Sequence, residues 1–255
     1  IAALSSTQVA AFTTTQIAAL TTAQVVALET RDLVALGTAA VRALNTADIV
    51  ALTTSQVAAL TTTQIAALTT GQVAALETAD LVALGSSQLA AFTTAQIAAL
   101  TTAQVGVIET RDLVALGTAA VRALETADIA ALGSSQVAAF TTTQIAALTT
   151  AQVVALETRD LVALGTAAVR ALNTADIVAL TTAQVGALTT TQVAALTTRQ
   201  IAALETPDVA ALGSSQLAAF TTAQIAALTT SQVGALETRD LVALGTAAVR
   251  ALETA

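Results

Sequence analysis

The chain has no histidine, cysteine, methionine, tryptophan, tyrosine or lysine, and a single proline. Each absence excludes a chemistry. Without His or Cys there is no zinc site of the usual kind, no Ser-His-Asp or Cys-His catalysis and no disulfide. Without Lys there is neither a Schiff base nor a P-loop lysine. Four phenylalanines are the only aromatics, and charged residues make up 10% of the chain. The net charge is −8, and the nine basic residues are scattered arginines forming no basic patch, so no nucleic-acid partner is expected. Long apolar runs are also missing. Mean hydropathy is high at +0.77, yet stretches such as Val25–Leu28 and Ile49–Leu52 end after four residues at Thr or Glu. A membrane-spanning helix needs roughly 20 apolar residues in a row, so no membrane insertion is expected.

What the chain does have is repetition. From Leu4 it reads LSSTQVAA, FTTTQIAA, LTTAQVVA, LETRDLVA, LGTAAVRA, LNTADIVA, and continues to Ala251 as 31 octads, with a fragment at each end. Position 1 is Leu, four times Phe and once Ile. Position 3 is always Thr or Ser, position 5 is Gln, Asp or Ala, and position 6 is Val, Ile or Leu. Position 8 is Ala except at Val107. Acidic octads are all even-numbered and octads with Gly at position 2 all odd-numbered, which points to a 16-residue unit of two octads. Residues 4–123 match residues 132–251 at 107 of 120 positions, a duplication at an offset of 128 residues. The expected organisation is one continuous repeat array over 1–255, a fragment of a longer chain.

A continuous helix fails, because eight residues are not a whole number of 3.6-residue turns and the apolar positions would spiral. A short helix per octad and a β-solenoid both remain, and the residues favour the helix. Thr or Ser at position 3 suits an N-cap, and Gln or Asp at position 5 suits the first turn. Pro207, at position 4, would then be the first helical residue. Ala-rich positions 6 to 8 favour helix over strand. Gly at position 2 would fall just past the helix end, where a left-handed cap sits. The helix should run from position 4 to the next position 1 and bury positions 6, 8 and 1. Six residues are too few to be stable alone, so stacking must supply the stability. The reading is an all-α solenoid with one helix per octad and two per 16-residue coil, with a β-solenoid as the alternative.

Two finer patterns bear on packing. All four serines at position 3 (Ser6, Ser86, Ser134, Ser214) precede a Phe by six residues (Phe12, Phe92, Phe140, Phe220). A smaller residue making room for a larger one would account for this, as would common ancestry of one duplicated block. The most polar block, ETRDLVALGTAAVRAL, recurs at 29–44, 109–124, 157–172 and 237–252 and supplies Glu29, Arg31, Asp32 and Arg42 with their counterparts. Arg42 lies between the Asp32 and Asp48 octads, Arg122 between Asp112 and Asp128, and Arg170 between Asp160 and Asp176. That regularity favours ion-pair ladders between coils over a ligand site.

No catalytic, cofactor-binding or metal-binding residue is assigned. Calcium sites need dense Asp with Gly, whereas these acids come as E-T-x-D pairs. Carboxylate pairs without an aromatic platform do not suggest a glycosidase. The Thr rows raise an ice-binding reading, but Glu, Gly and Asn interrupt them at position 2. Octads of the form LTTxQVAA, as in residues 52–70 (LTTSQVAALTTTQIAALTT), resemble low-complexity repeat regions of very large secreted or surface proteins of Gram-negative bacteria, of the adhesin-like kind. That resemblance implies an extracellular or cell-surface location and a structural or adhesive role. The expected function is a non-catalytic structural repeat that forms or extends a fibre, filament or stalk by stacking and self-association. The alternative is an adhesin or ice-binding module using a repetitive Thr/Gln face. No particular surface ligand is specified.

Overall fold

A computed structural model describes residues 1 and 3–252, with the backbone alone at 247–249. Among the described residues the chain forms 31 short α-helices, from α1 (Ser6–Ala10) to α31 (Thr246–Leu252), and no strand. There is one helix per octad, and the β-solenoid alternative falls away. The chain divides into two compact units, Ile1–Ala131 and Leu132–Ala255, and the second begins where the second copy of the duplicated block begins.

The helices lie one residue earlier in the octad than expected, running mostly from position 3 to position 8. In α7 (Thr54–Ala59) the N-cap is Thr53, at position 2, with extended backbone (φ −73°, ψ 152°). Its hydroxyl accepts the Gln56 N–H at 3.3 Å, and the Gln56 Oε1 accepts the Thr53 N–H at 2.8 Å. This is a capping box, and its spacing of three residues selects the first threonine of the pair as cap. Position 3 is therefore the first helical residue. Pro207 becomes the second helical residue after Thr206, with Glu205 as N-cap. Its missing N–H still falls in the first turn, where no intrahelical partner exists.

Glycine at position 2 is not a left-handed C-cap. No described residue has positive φ. The chain leaves α4 (Thr30–Ala35) through Leu36 in extended conformation (φ −67°, ψ 136°), and Gly37 is the N-cap of α5 (Thr38–Ala43) at φ −69°, ψ 161°. One extended residue at position 1 followed by one at position 2 makes the corner, so no left-handed residue is needed.

Positions 6 and 1 form the core. Ile65 and Val73 are fully buried, and Leu60 and Leu68 nearly so. Burying such a side chain contributes about 1.5–3 kcal/mol. Position 8 is only half-buried, less than expected. Within each unit a helix packs on the helix three octads along: α3 (Thr22–Val26) on α6 (Thr46–Ala51), α4 on α7 and α5 on α8 (Thr62–Ala67) in the first unit. In the second unit α19 (Thr150–Ala155) packs on α22 (Thr174–Ala179), and α22 on α25 (Thr198–Ala203). A 16-residue coil would instead place each helix on the second along. The coil is longer because each octad turns the chain through less than the half-circle that two octads per coil would need. Each unit is a solenoid of short helices.

Candidate functional site

The residue type that organises both units is the glutamine at position 5, which occupies 18 of the 31 octads. Its oxygen belongs to the capping box of its own helix, and its amide reaches the preceding coil. Gln56 Nε2 donates to the carbonyls of Val25 (3.1 Å) and Leu28 (2.8 Å), at the C-terminal end of α3. Gln64 donates to Leu33 and Leu36, and Gln72 to Val41 and Leu44. In the second unit Gln200 donates to Val169 and Leu172, and Gln224 to Val193 and Leu196. The last carbonyls of a helix have no intrahelical donor. One buried side chain thus satisfies the N-terminus of one helix and the C-terminus of another, 28 to 31 residues earlier. A superhelical turn therefore takes between three and four octads.

The sequence reading placed position 5 only in the first turn. The signal for more was present: a side chain three residues after a Thr cap, carrying both an acceptor and a donor. The expected Thr/Gln face is reduced by burial. Gln56, Gln64, Gln72, Gln96 and Gln104 are buried in the first unit, so such a face keeps its threonines and loses these glutamines.

Nine octads carry Asp at position 5. These carboxylates are buried. In several of them one oxygen still accepts the N-cap N–H, as in Asp48 from Asn45 (3.0 Å), Asp80 from Glu77 (3.2 Å) and Asp176 from Asn173 (3.0 Å). A carboxylate has no donor for a neighbouring carbonyl. Asp48 Oδ1, Asp176 Oδ1, Asp160 Oδ2 and Asp208 Oδ2 are buried without a hydrogen-bond partner. Burial raises the pKa of Asp80, Asp128, Asp176 and Asp208 above the ordinary carboxylate value, outweighing the N-cap hydrogen bonds that lower it and, at Asp208 and Asp80, the hydrogen bonds from the Thr182 and Thr54 hydroxyls.

The four ETRD octads have a further partner. The hydroxyls of Ser6, Ser86, Ser134 and Ser214 donate to Asp32, Asp112, Asp160 and Asp240 at 2.5–2.8 Å, each 26 residues on. The serines thus have a polar task, which the pairing with phenylalanine did not reveal. Phe92, Phe140 and Phe220 are buried core residues.

The ion pairs are local. Arg31, Arg111, Arg159 and Arg239 reach the glutamate two residues earlier at 2.7–3.0 Å and lie 3.6–3.9 Å from the following aspartate. These arginines are about two-thirds exposed, and such pairs contribute about 0–1 kcal/mol. The expected ladder through Arg42, Arg122 and Arg170 does not form. All three are exposed and make no ion pair among the described residues, because position 7 points outward while the position-5 aspartates turn into the stack. Position 7 also carries half-exposed valines, among them Val26, Val34, Val50 and Val82. Among the described residues no pocket forms, no three metal-ligating side chains converge, and no helix is long and apolar enough to cross a membrane.

An octad with T-T-x-Q ahead of an apolar core residue is thus one mechanical unit. Residues 19–24 read ALTTAQ, as do 99–104, and ten overlapping stretches match the ALTTAQ repeat: 1–30, 25–62, 46–77, 73–107, 105–142, 121–158, 153–190, 172–206, 201–238 and 233–255. The chain belongs to the ALTTAQ repeat family. In ALTTAQ terms, the first Thr is the cap, the second opens the helix, and Gln ties one coil to the next. No curated protein matches the chain.

Proposed function

We propose that this ALTTAQ array is a non-catalytic structural element that forms or extends an extracellular fibre, filament or surface stalk and associates with further copies of itself. The observation that carries the reading is the use made of the polar side chains. The buried glutamines, and the four serines with the aspartates they meet, serve coil-to-coil contacts, and the outward positions hold small Ala, Thr and Val side chains with scattered arginines and glutamates. Such a surface suits repetitive lateral contact, since the position-7 valines lie exposed at recurring steps. The extracellular placement rests on the likeness of the LTTxQVAA octads to repeat regions of large bacterial surface proteins. Electron microscopy of the purified chain with light scattering at increasing concentration tests the proposal. Filaments or concentration-dependent growth are expected. Monodisperse single particles at all concentrations would overturn the self-association.

A further inference from the structure

We propose that the aspartates standing in the glutamine ladder, Asp80, Asp176 and Asp208 above all, make the solenoid acid-sensitive in an inverted sense: charged, each interrupts the ladder, and neutral, each ceases to oppose the stacking, so acidification stabilises the fold. The inference is independent of filament formation and rests on three observations.

The first is positional equivalence. In the Gln72 octad the side chain accepts the N-cap N–H and donates to two carbonyls of the preceding coil. Asp176 sits at the same place, accepts the Asn173 N–H through Oδ2, and offers no proton to anything. The second is burial that outweighs its compensation: Asp176 Oδ1 and Asp208 Oδ2 have no partner although both residues lie inside the stack, and the Thr54 and Thr182 hydroxyls, which bond to Asp80 and Asp208, offset only part of the burial. A buried ionised carboxylate that lacks partners disfavours its own charge.

The third is the absence of a nearby cation. Helix α22 packs against α19 and α25, whose one charged residue is the exposed Arg199, which makes no ion pair among the described residues. Asp80 lies in α10 (Thr78–Ala83), packed on α7 and α13 (Thr102–Gly106), neither of which has a charged residue. Asp208 lies in α26 (Thr206–Ala211), packed on α23 (Thr182–Ala187) and α29 (Thr230–Gly234), which also have none. The nearest charges in the same octads are Glu77 and Glu205, and they add repulsion.

Burial holds all three carboxyls above their ordinary value of 3.8. An acid whose folded pKa exceeds its unfolded one binds its proton more tightly when folded. The stability it contributes is fully present below the unfolded value and is lost as pH rises through the folded value.

The test is urea unfolding of the full chain, followed by circular dichroism from pH 7 to pH 4.5 at constant ionic strength, beside Asp80→Asn/Asp176→Asn/Asp208→Asn. Relief of the net negative charge raises the midpoint of both proteins somewhat, so the difference between them is decisive. The wild-type midpoint should rise more on acidification than the variant's. An equal rise, or a fall in the wild type, overturns the proposal. If the variant does not fold, carboxyl carbon NMR of the aspartate-labelled wild type gives the answer: titration of several aspartates above the ordinary range supports it, and titration of all nine at or below that range overturns it.

Discussion

Replacing Gln72 by alanine removes one rung of the ladder and little else. Three hydrogen bonds are lost: the Oε1 bond from the Thr69 N–H (2.7 Å) and the Nε2 bonds to the Val41 and Leu44 carbonyls (2.8 Å each). A typical intramolecular hydrogen bond contributes about 0.5–1.5 kcal/mol net, and a buried acceptor left without its donor costs a further ~1–3 kcal/mol. Helix propensity favours alanine slightly and offsets a few tenths of this. The expected loss is about 2–7 kcal/mol. Gln16 provides the internal control. It caps Thr13 in the same way but is exposed, and its side chain makes only the local bonds of the capping box. Gln16→Ala should cost about 1 kcal/mol, the value of a cap. Both variants can be followed by urea unfolding and by native-state hydrogen exchange of the amides in α5 and α9 (Thr70–Ala75). Equal losses in the two variants would refute the reasoning, because the added cost is assigned to the contact with the preceding coil.

Ser86→Ala should cost about 1.5–3 kcal/mol in urea unfolding, since the Asp112 carboxylate loses a hydroxyl donor. Arg111→Ala, at an exposed pair, should cost under about 1 kcal/mol in the same assay. Gly165→Thr should raise stability by about 0.5–1 kcal/mol in thermal unfolding. It adds a capping hydroxyl where α21 (Thr166–Ala171) has none, worth about a few tenths of a kcal/mol over glycine, and restricts the unfolded chain at a position whose extended backbone suits threonine; an added Cβ meets nothing within 4 Å. Ile65→Ala should cost about 2–5 kcal/mol, because Ile65 is fully buried, whereas Val50→Ser on the outward face should stay within about 0.5 kcal/mol; calorimetry distinguishes the two.

Much of the fold was legible because octad periodicity, Ala content and Pro207 all constrain the backbone locally. The register was missed by one residue. Two threonines stand side by side, and either suits a cap; only the three-residue spacing to Gln in T-x-x-Q singles out position 2. Glycine at position 2 misled for a related reason, since glycine is tolerated at both helix ends and only the φ angle separates the two uses. The coil length was read from alternation in composition, which is a property of neighbouring octads. Contacts between coils depend on the turn made at each corner, a quantity that no single octad encodes. One trace of it was present: each serine at position 3 stands 26 residues before the aspartate of an ETRD octad. That spacing carries the superhelical turn, because the serine and the aspartate meet across coils. The arginine ladder failed because its spacing was read along the chain without the direction in which position 7 points.

The central claim is that glutamine at position 5 joins each coil to the one 28 to 31 residues before it. Nuclear Overhauser contacts from the side-chain amide of Gln72, in a glutamine-labelled sample, test this most directly. Contacts from that amide to Val41 and Leu44 are expected, together with slowed amide exchange. Contacts instead to the octad at residues 52–59, two octads back, or an amide exchanging as fast as that of Gln16, would contradict it.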